Sequence, residues 1–180
     1  MRKSILWVGV LLFAGVIALS SCHRHKIDIQ ALTQKMWFLR TYERWDTDNR
    51  DRVIPESYRS WTYYGNEGYE NWFFYFVENN VGYQYHTYQG DTIVYVFNYF
   101  YYPEGDSLNI IFETVNDSVE NYHATIDELT DNTFTFTNPY HPHQYEQLHL
   151  VNVTGEQKSP VKVNPKSIAT KPHGPLIPVN

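Results

Sequence analysis

The sequence predicts an all-β fold, an antiparallel up-and-down barrel of eight or nine short strands preceded by a short N-terminal helix. Three observations point there. Aromatic residues make up 17% of the chain, with 16 Tyr, 10 Phe and 5 Trp, and that surplus favours strands over helices. From Trp72 to Thr114 aromatic and β-branched residues recur at every second position, which suits a pleated strand whose successive side chains face opposite ways. The breaks in this pattern (Glu78–Asn80, Gln89–Asp91 and Pro103–Asp106) carry the Gly, Pro, Asn and Asp of tight turns. Strands joined so closely form a meander, and a meander must close or be covered to protect its edges.

The elements follow in order. Ile29, Leu32 and Met36 are spaced for one face of a short helix. A first strand runs from Trp37 to about Trp45, and Asp46 to Glu56 is a charged loop. Its acids lack the Gly and distal Glu of an EF-hand, and Arg50 and Arg52 sit among them, so a solvated loop is expected there. Tyr58–Tyr64 is an aromatic strand ended by Gly65–Gly68. Four strands follow within Trp72–Thr114, and then Val119–Leu129, where Tyr122, Ala124 and Ile126 alternate with polar residues. Thr133–Thr137 has one aromatic and one hydroxyl face, hence one buried and one wet side. A last strand spans about Gln144 to Thr154. Beyond Gly155, five of the nine prolines appear among lysines and small residues, and residues 155–180 are expected to form a disordered tail. Regular short strands of this kind make a barrel or a sandwich, and at eight strands a barrel interior is either filled by side chains or holds one small ligand.

The N-terminus has a different character. Arg2 and Lys3 precede an apolar run from Ile5 to Leu19, then Ser20, Ser21 and Cys22. A charged start, an apolar core of roughly 7–15 residues and small residues at its end describe an export signal over residues 1–21. Leu19-Ser20-Ser21-Cys22 resembles the lipobox of bacterial lipoproteins, which implies cleavage before Cys22 and its lipidation. Each buried lipid CH₂ contributes about 0.8 kcal/mol, so several acyl chains would hold the protein on a membrane. His23 stands where an inner-membrane retention Asp would be, and the resemblance therefore implies the outer membrane of the cell envelope. Residues 22–28 read as a basic tether near lipid headgroups. Cys22 is the single cysteine, so no disulfide framework supports the fold.

A Trp opening the first strand (Lys35-Met36-Trp37) and the segment Ala124-Thr-Ile-Asp-Glu-Leu-Thr-Asp-Asn-Thr-Phe-Thr-Phe136 resemble the lipocalin-like domains of Gram-negative lipoproteins, over about 29–154. Lys35 stands where lipocalins carry a glycine. The resemblance implies a calycin-type barrel with Trp37 closing one end, and small apolar ligands among the family's uses.

Composition and motifs narrow the function. A net charge of −6 leaves no basic groove for nucleic acid. Nucleophile-elbow, P-loop, dinucleotide and His-Glu-x-x-His patterns are missing, Asp127 and Glu128 point to opposite faces of a strand, and no enzyme and no cofactor are expected. His141, His143, His149 and His123 could be brought together as metal ligands, but Pro142 argues for a solvated turn and no metal site is expected. The aromatic surplus is the better clue. Both faces of Trp72–Val77 and Ile93–Tyr102 are apolar, so one face lines the barrel and the other is covered by a chain segment (Tyr58–Tyr64), a partner or a ligand. Candidate ligand-binding residues are Phe74, Tyr83, Tyr85, Tyr95, Phe97, Tyr99, Phe112, Tyr122 and Phe134, with Gln84, His86 and Asn98 converging at a mouth. The expected function is a membrane-anchored lipoprotein binding a small apolar or aromatic ligand. The alternative is a filled barrel that docks a protein or glycan through an aromatic face. Asp91-Thr92, Asp106-Ser107 and Asp117-Ser118 resemble O-glycosylation acceptors of some anaerobic Gram-negative bacteria, or are ordinary turn exits.

Overall fold

In the computed structural model, the described residues are 27–66, 68–114, 117–155, 168–169, 171 and 175–177. Residues 1–21, expected to be an export signal, and Cys22 lie outside them. Ten strands are present among the described residues: β1 (Met36–Asp46), β2 (Arg59–Thr62), β3 (Asn71–Val77), β4 (Val81–Tyr88), β5 (Asp91–Tyr102), β6 (Ser107–Glu113), β7 (Val119–Leu129), β8 (Thr133–His141), β9 (Gln144–Asn152) and β10 (Ile168–Ala169). Hydrogen-bonded neighbours run β5-β4-β3-β1-β9-β8-β7-β6, and β6 pairs back onto β5. Every pairing in that ring is antiparallel, so the described strands form a closed eight-stranded up-and-down barrel. Closure leaves no long unpaired edge.

Two seams in the wall are patched. β1 pairs β3 only through Met36–Phe38, and β2 covers the rest of that edge at Thr41–Arg44. β5 pairs β6 only from Phe97 onward, and β10 runs parallel along Val94–Tyr95 in the remaining gap. Both patches lie toward the same end of the barrel, here called the mouth. Tyr58–Tyr64 was one of three candidates, with a partner or a ligand, for covering an outer apolar face. β2 instead widens the wall, with Trp61 against Tyr42 at 5.3 Å between ring centres.

The opposite end is closed. The helix expected over Ile29–Met36 is shorter: one 3-10 turn, Ile29–Ala31, capped by the Asp28 carboxylate accepting from Gln30 N. The chain leaves it with Thr33 bridging Phe76 and Gln34 at φ 57°, then enters β1. Trp37 is fully buried, and its Nε1 donates to the Leu32 carbonyl at 2.9 Å. This pins the turn across the barrel floor. None of the described helices is long and apolar enough to cross a membrane.

The charged loop after β1 is ordered by its own side chains, since Asp48 accepts from Arg50 N and Arg52 N and pairs with the Arg52 guanidinium at 2.6 Å. The strand expected to stop at Thr137 continues to His141, carrying Asn138 and Pro139 in the wall.

A further correction concerns the tail. Residues 155–180 were expected to lack structure, yet the described ones beyond Gly155 are built into the barrel. Besides β10, Lys171 bridges to Thr114 at the end of β6, and Lys171, Leu176 and Ile177 are buried. Composition misjudged this segment because burial is supplied by a preformed wall rather than by the segment itself.

Candidate functional site

Alternation along each strand decides which side chains enter the barrel. Phe74 and Phe76 of β3, Phe97 and Tyr99 of β5, Phe112 of β6, Tyr122 of β7 and Phe134 of β8 all point inward. They interlock as tilted and edge-on pairs, with centroids 5.4 Å apart for Phe76–Phe97, 5.1 Å for Phe76–Tyr99, 6.0 Å for Phe76–Phe134 and 6.0 Å for Phe112–Tyr122. Such edge-on geometry sets the positive ring edge against a negative face. Phe97 lies directly over Gly82 of β4, where a Cβ would overlap its ring. Tyr99 donates to the Val77 carbonyl at 2.6 Å. The lower half of the barrel is thus a filled aromatic floor.

The expected ligand-lining set divides accordingly. Phe74, Tyr95, Phe97, Tyr99, Phe112, Tyr122 and Phe134 share the interior. Tyr83 and Tyr85 do not. They stand opposite Tyr75 and Phe73 on β3 and opposite Val96 and Val94 on β5, and they face outward. There they belong to a second aromatic layer with Phe38 and Phe73, whose rings are 5.2 Å apart. Burial pushes the Tyr85 hydroxyl up to about 12. A groove of about 440 Å³ beside this layer is lined by Phe38, Arg40, Tyr64, Phe73, Val151 and Val153. Of the three polar candidates, Gln84 and His86 point inward and Asn98 points out. His86 stacks on Trp72 at 4.0 Å, with its Nε2 3.1 Å from Glu70.

The mouth contains groups that sequence reasoning passed over. Glu146 of β9 projects inward and is fully buried. Its carboxylate accepts from the Tyr42 hydroxyl at 2.9 Å, from Asn138 Nδ2 at 2.7 Å, and from the backbone N–H of Leu176 at 2.9 and 3.1 Å. Gln84 Nε2 donates to the Leu176 carbonyl at 2.9 Å. Lys171, only 1% exposed, donates from Nζ to the Tyr122 hydroxyl at 2.7 Å and to the Pro175 carbonyl at 2.9 Å, with Glu120 at 3.6 Å. Burial raises Glu146 above the usual carboxylate range and lowers Lys171, each shift opposed by the hydrogen bonds and charges around it. The Tyr42 and Tyr122 hydroxyls are raised for the same reason and stay protonated donors. The alternation Tyr145-Glu146-Gln147-Leu148 contains the clue, because it sets Glu146 on the same face as Leu148 and Leu150.

The histidines are dispersed. His149 faces outward 3.8 Å from Glu43, His143 sits in the β8–β9 turn 3.9 Å from Asp51, and His123 is exposed on β7. Among the described residues no three His, Cys, Asp or Glu side chains gather to hold a metal. Asp127 accepts from Thr137 at 2.7 Å and from Gln147 at 3.0 Å on the outer surface.

No protein-family model matches the chain, and no curated protein does either. Among solved structures, it is similar to insecticyanin from the tobacco hornworm Manduca sexta, with 12% identity and a TM-score of 0.46. That alignment covers 70% of this chain and spans 64% of the insecticyanin chain, less than two thirds of its length.

Proposed function

We propose that this chain is a non-enzymatic, membrane-tethered binding protein that takes a small apolar or aromatic guest at the mouth of its barrel. One observation carries the reading. The mouth already holds two apolar side chains, Leu176 and Ile177, in full burial, with the Leu176 backbone fixed at both its N–H and its C=O. An aromatic floor, a set of oriented polar groups and an apolar occupant seated between them, here Leu176, are what an interior binding site requires. A guest entering there takes the place of the terminal segment. Trp72 at the mouth and Trp37 at the floor make intrinsic fluorescence the natural readout. Titration with a panel of bile acids, haem and fatty acids is expected to give a saturable change with at least one class, lost on Tyr95→Ala. A flat response across the panel overturns the proposal.

The outer aromatic layer favours a second reading, in which the filled barrel docks a protein or glycan. Under it, Tyr83→Ala rather than Tyr95→Ala abolishes binding of a co-purifying partner. The tether rests on the lipobox-like segment ending at Cys22, which would anchor the barrel in the outer membrane, with Thr92, Ser107 and Ser118 as candidate glycan acceptors at the starts of strands.

A further inference from the structure

The terminal segment shows what kind of molecule the mouth is made to hold. Glu146 accepts a backbone N–H and Gln84 donates to the carbonyl of the same residue, Leu176. A matched acceptor and donor on opposite sides of one residue recognise an amide chain, whereas a plain hydrocarbon would leave both groups unmatched. Two further acceptors, Gln84 Oε1 and Asn138 Oδ1, are buried and have no hydrogen-bond partner among the described residues. They are places for additional N–H donors, which Pro175 beside Leu176 cannot supply.

Charge adds a second criterion. Glu120 and Glu146 both point into the mouth, and the cation beside them, Lys171, arrives on the terminal segment itself. Withdrawal of that segment takes Lys171 away from Glu120. An anionic lipid whose charged end entered the mouth would then meet like charge, one whose carboxylate stays in water at the rim would not, and a guest bringing its own ammonium takes the place of Lys171.

We propose that the mouth is a peptide-binding site for an extended apolar segment carrying a basic side chain, and that Lys171 and residues 175–177 are its resident, displaceable copy. This rests on the interior-site reading above and names its ligand class. It follows that the segment competes with any guest and sets the threshold for occupancy.

The test uses the full chain with Leu176→Asp, which sets a charge beside Glu146 and drives the segment out; circular dichroism checks that the barrel is intact. If that variant does not fold, the double variant Leu176→Ala, Ile177→Ala serves in its place. The probe is a fluorescently labelled synthetic peptide of residues 168–180, compared with the same peptide carrying Glu in place of its lysine and with palmitate. The expected result is 1:1 capture of the native peptide, at least tenfold tighter than the Glu peptide, with at least tenfold weaker binding to the unaltered chain. Palmitate binding without peptide binding, or equal capture of the two peptides, overturns this inference and leaves the interior-site reading standing. No binding of the peptide, of palmitate or of any bile acid or haem by a folded variant overturns both.

Discussion

Glu146 is the residue on which the mouth turns. Burial raises its folded-state pKa above the ordinary value of 4.5, so between 4.5 and the raised value the folded chain keeps a proton that the unfolded chain has released. Stability therefore falls as pH rises through that window. Lys171 has the opposite sign. Its folded pKa is lowered from 10.5, the unfolded chain binds the extra proton below that value, and stability climbs with pH as 10.5 is approached from below. Glu146→Gln keeps a polar group of the same size and is expected to flatten the lower limb alone, as read by urea midpoints across pH. An unchanged slope would place the titration elsewhere. At the floor, Gly82 has no room for a methyl group under the Phe97 ring. Gly82→Ala is expected to cost about 1–3 kcal/mol by overpacking, measured by denaturant unfolding. The inward positions of Phe97, Phe112 and Phe134 were legible from period-two alternation, whereas the pairing of Glu146 with Tyr42, 104 positions away, was not.

Among the elements, the strands of the ring were legible and their patches were not. Turn residues mark each strand's start closely, as at Gln89-Gly90 and Pro103–Asp106, because positive φ at Gln89, Gly90 and Asp106 limits what can stand there. Tyr83 and Tyr85 were misplaced for a related reason. A strand apolar on both faces gives no register signal, so only the pairing with Phe73 and Val94 shows that they face outward. The terminal segment was misread because its Pro and Lys content describes a chain in water, and its neighbours lie in other parts of the sequence. Deleting the buried Leu176 side chain as Leu176→Ala is expected to cost about 2–5 kcal/mol by denaturant unfolding. A disordered tail would give no measurable change.

At the scale of the molecule, the barrel is one closed ring with an aromatic floor at one end and a polar mouth at the other. Tethering through Cys22 would place it outside the cytoplasm. Cys22→Ser is expected to move the protein from the membrane fraction to the soluble envelope fraction, checked by fractionation and by the mass of the N-terminal peptide. Continued membrane association of that variant would remove the anchor from the account. The all-β class, the near absence of helix and the aromatic interior follow from the sequence alone, because side-chain alternation and turn chemistry are local properties that each strand carries with it. The closing pair β5–β6, the burial of Glu146 and Lys171, and the seating of Leu176 and Ile177 in the mouth were decided only in three dimensions. They depend on low-dielectric space that exists once distant strands have met, and no window of sequence contains it.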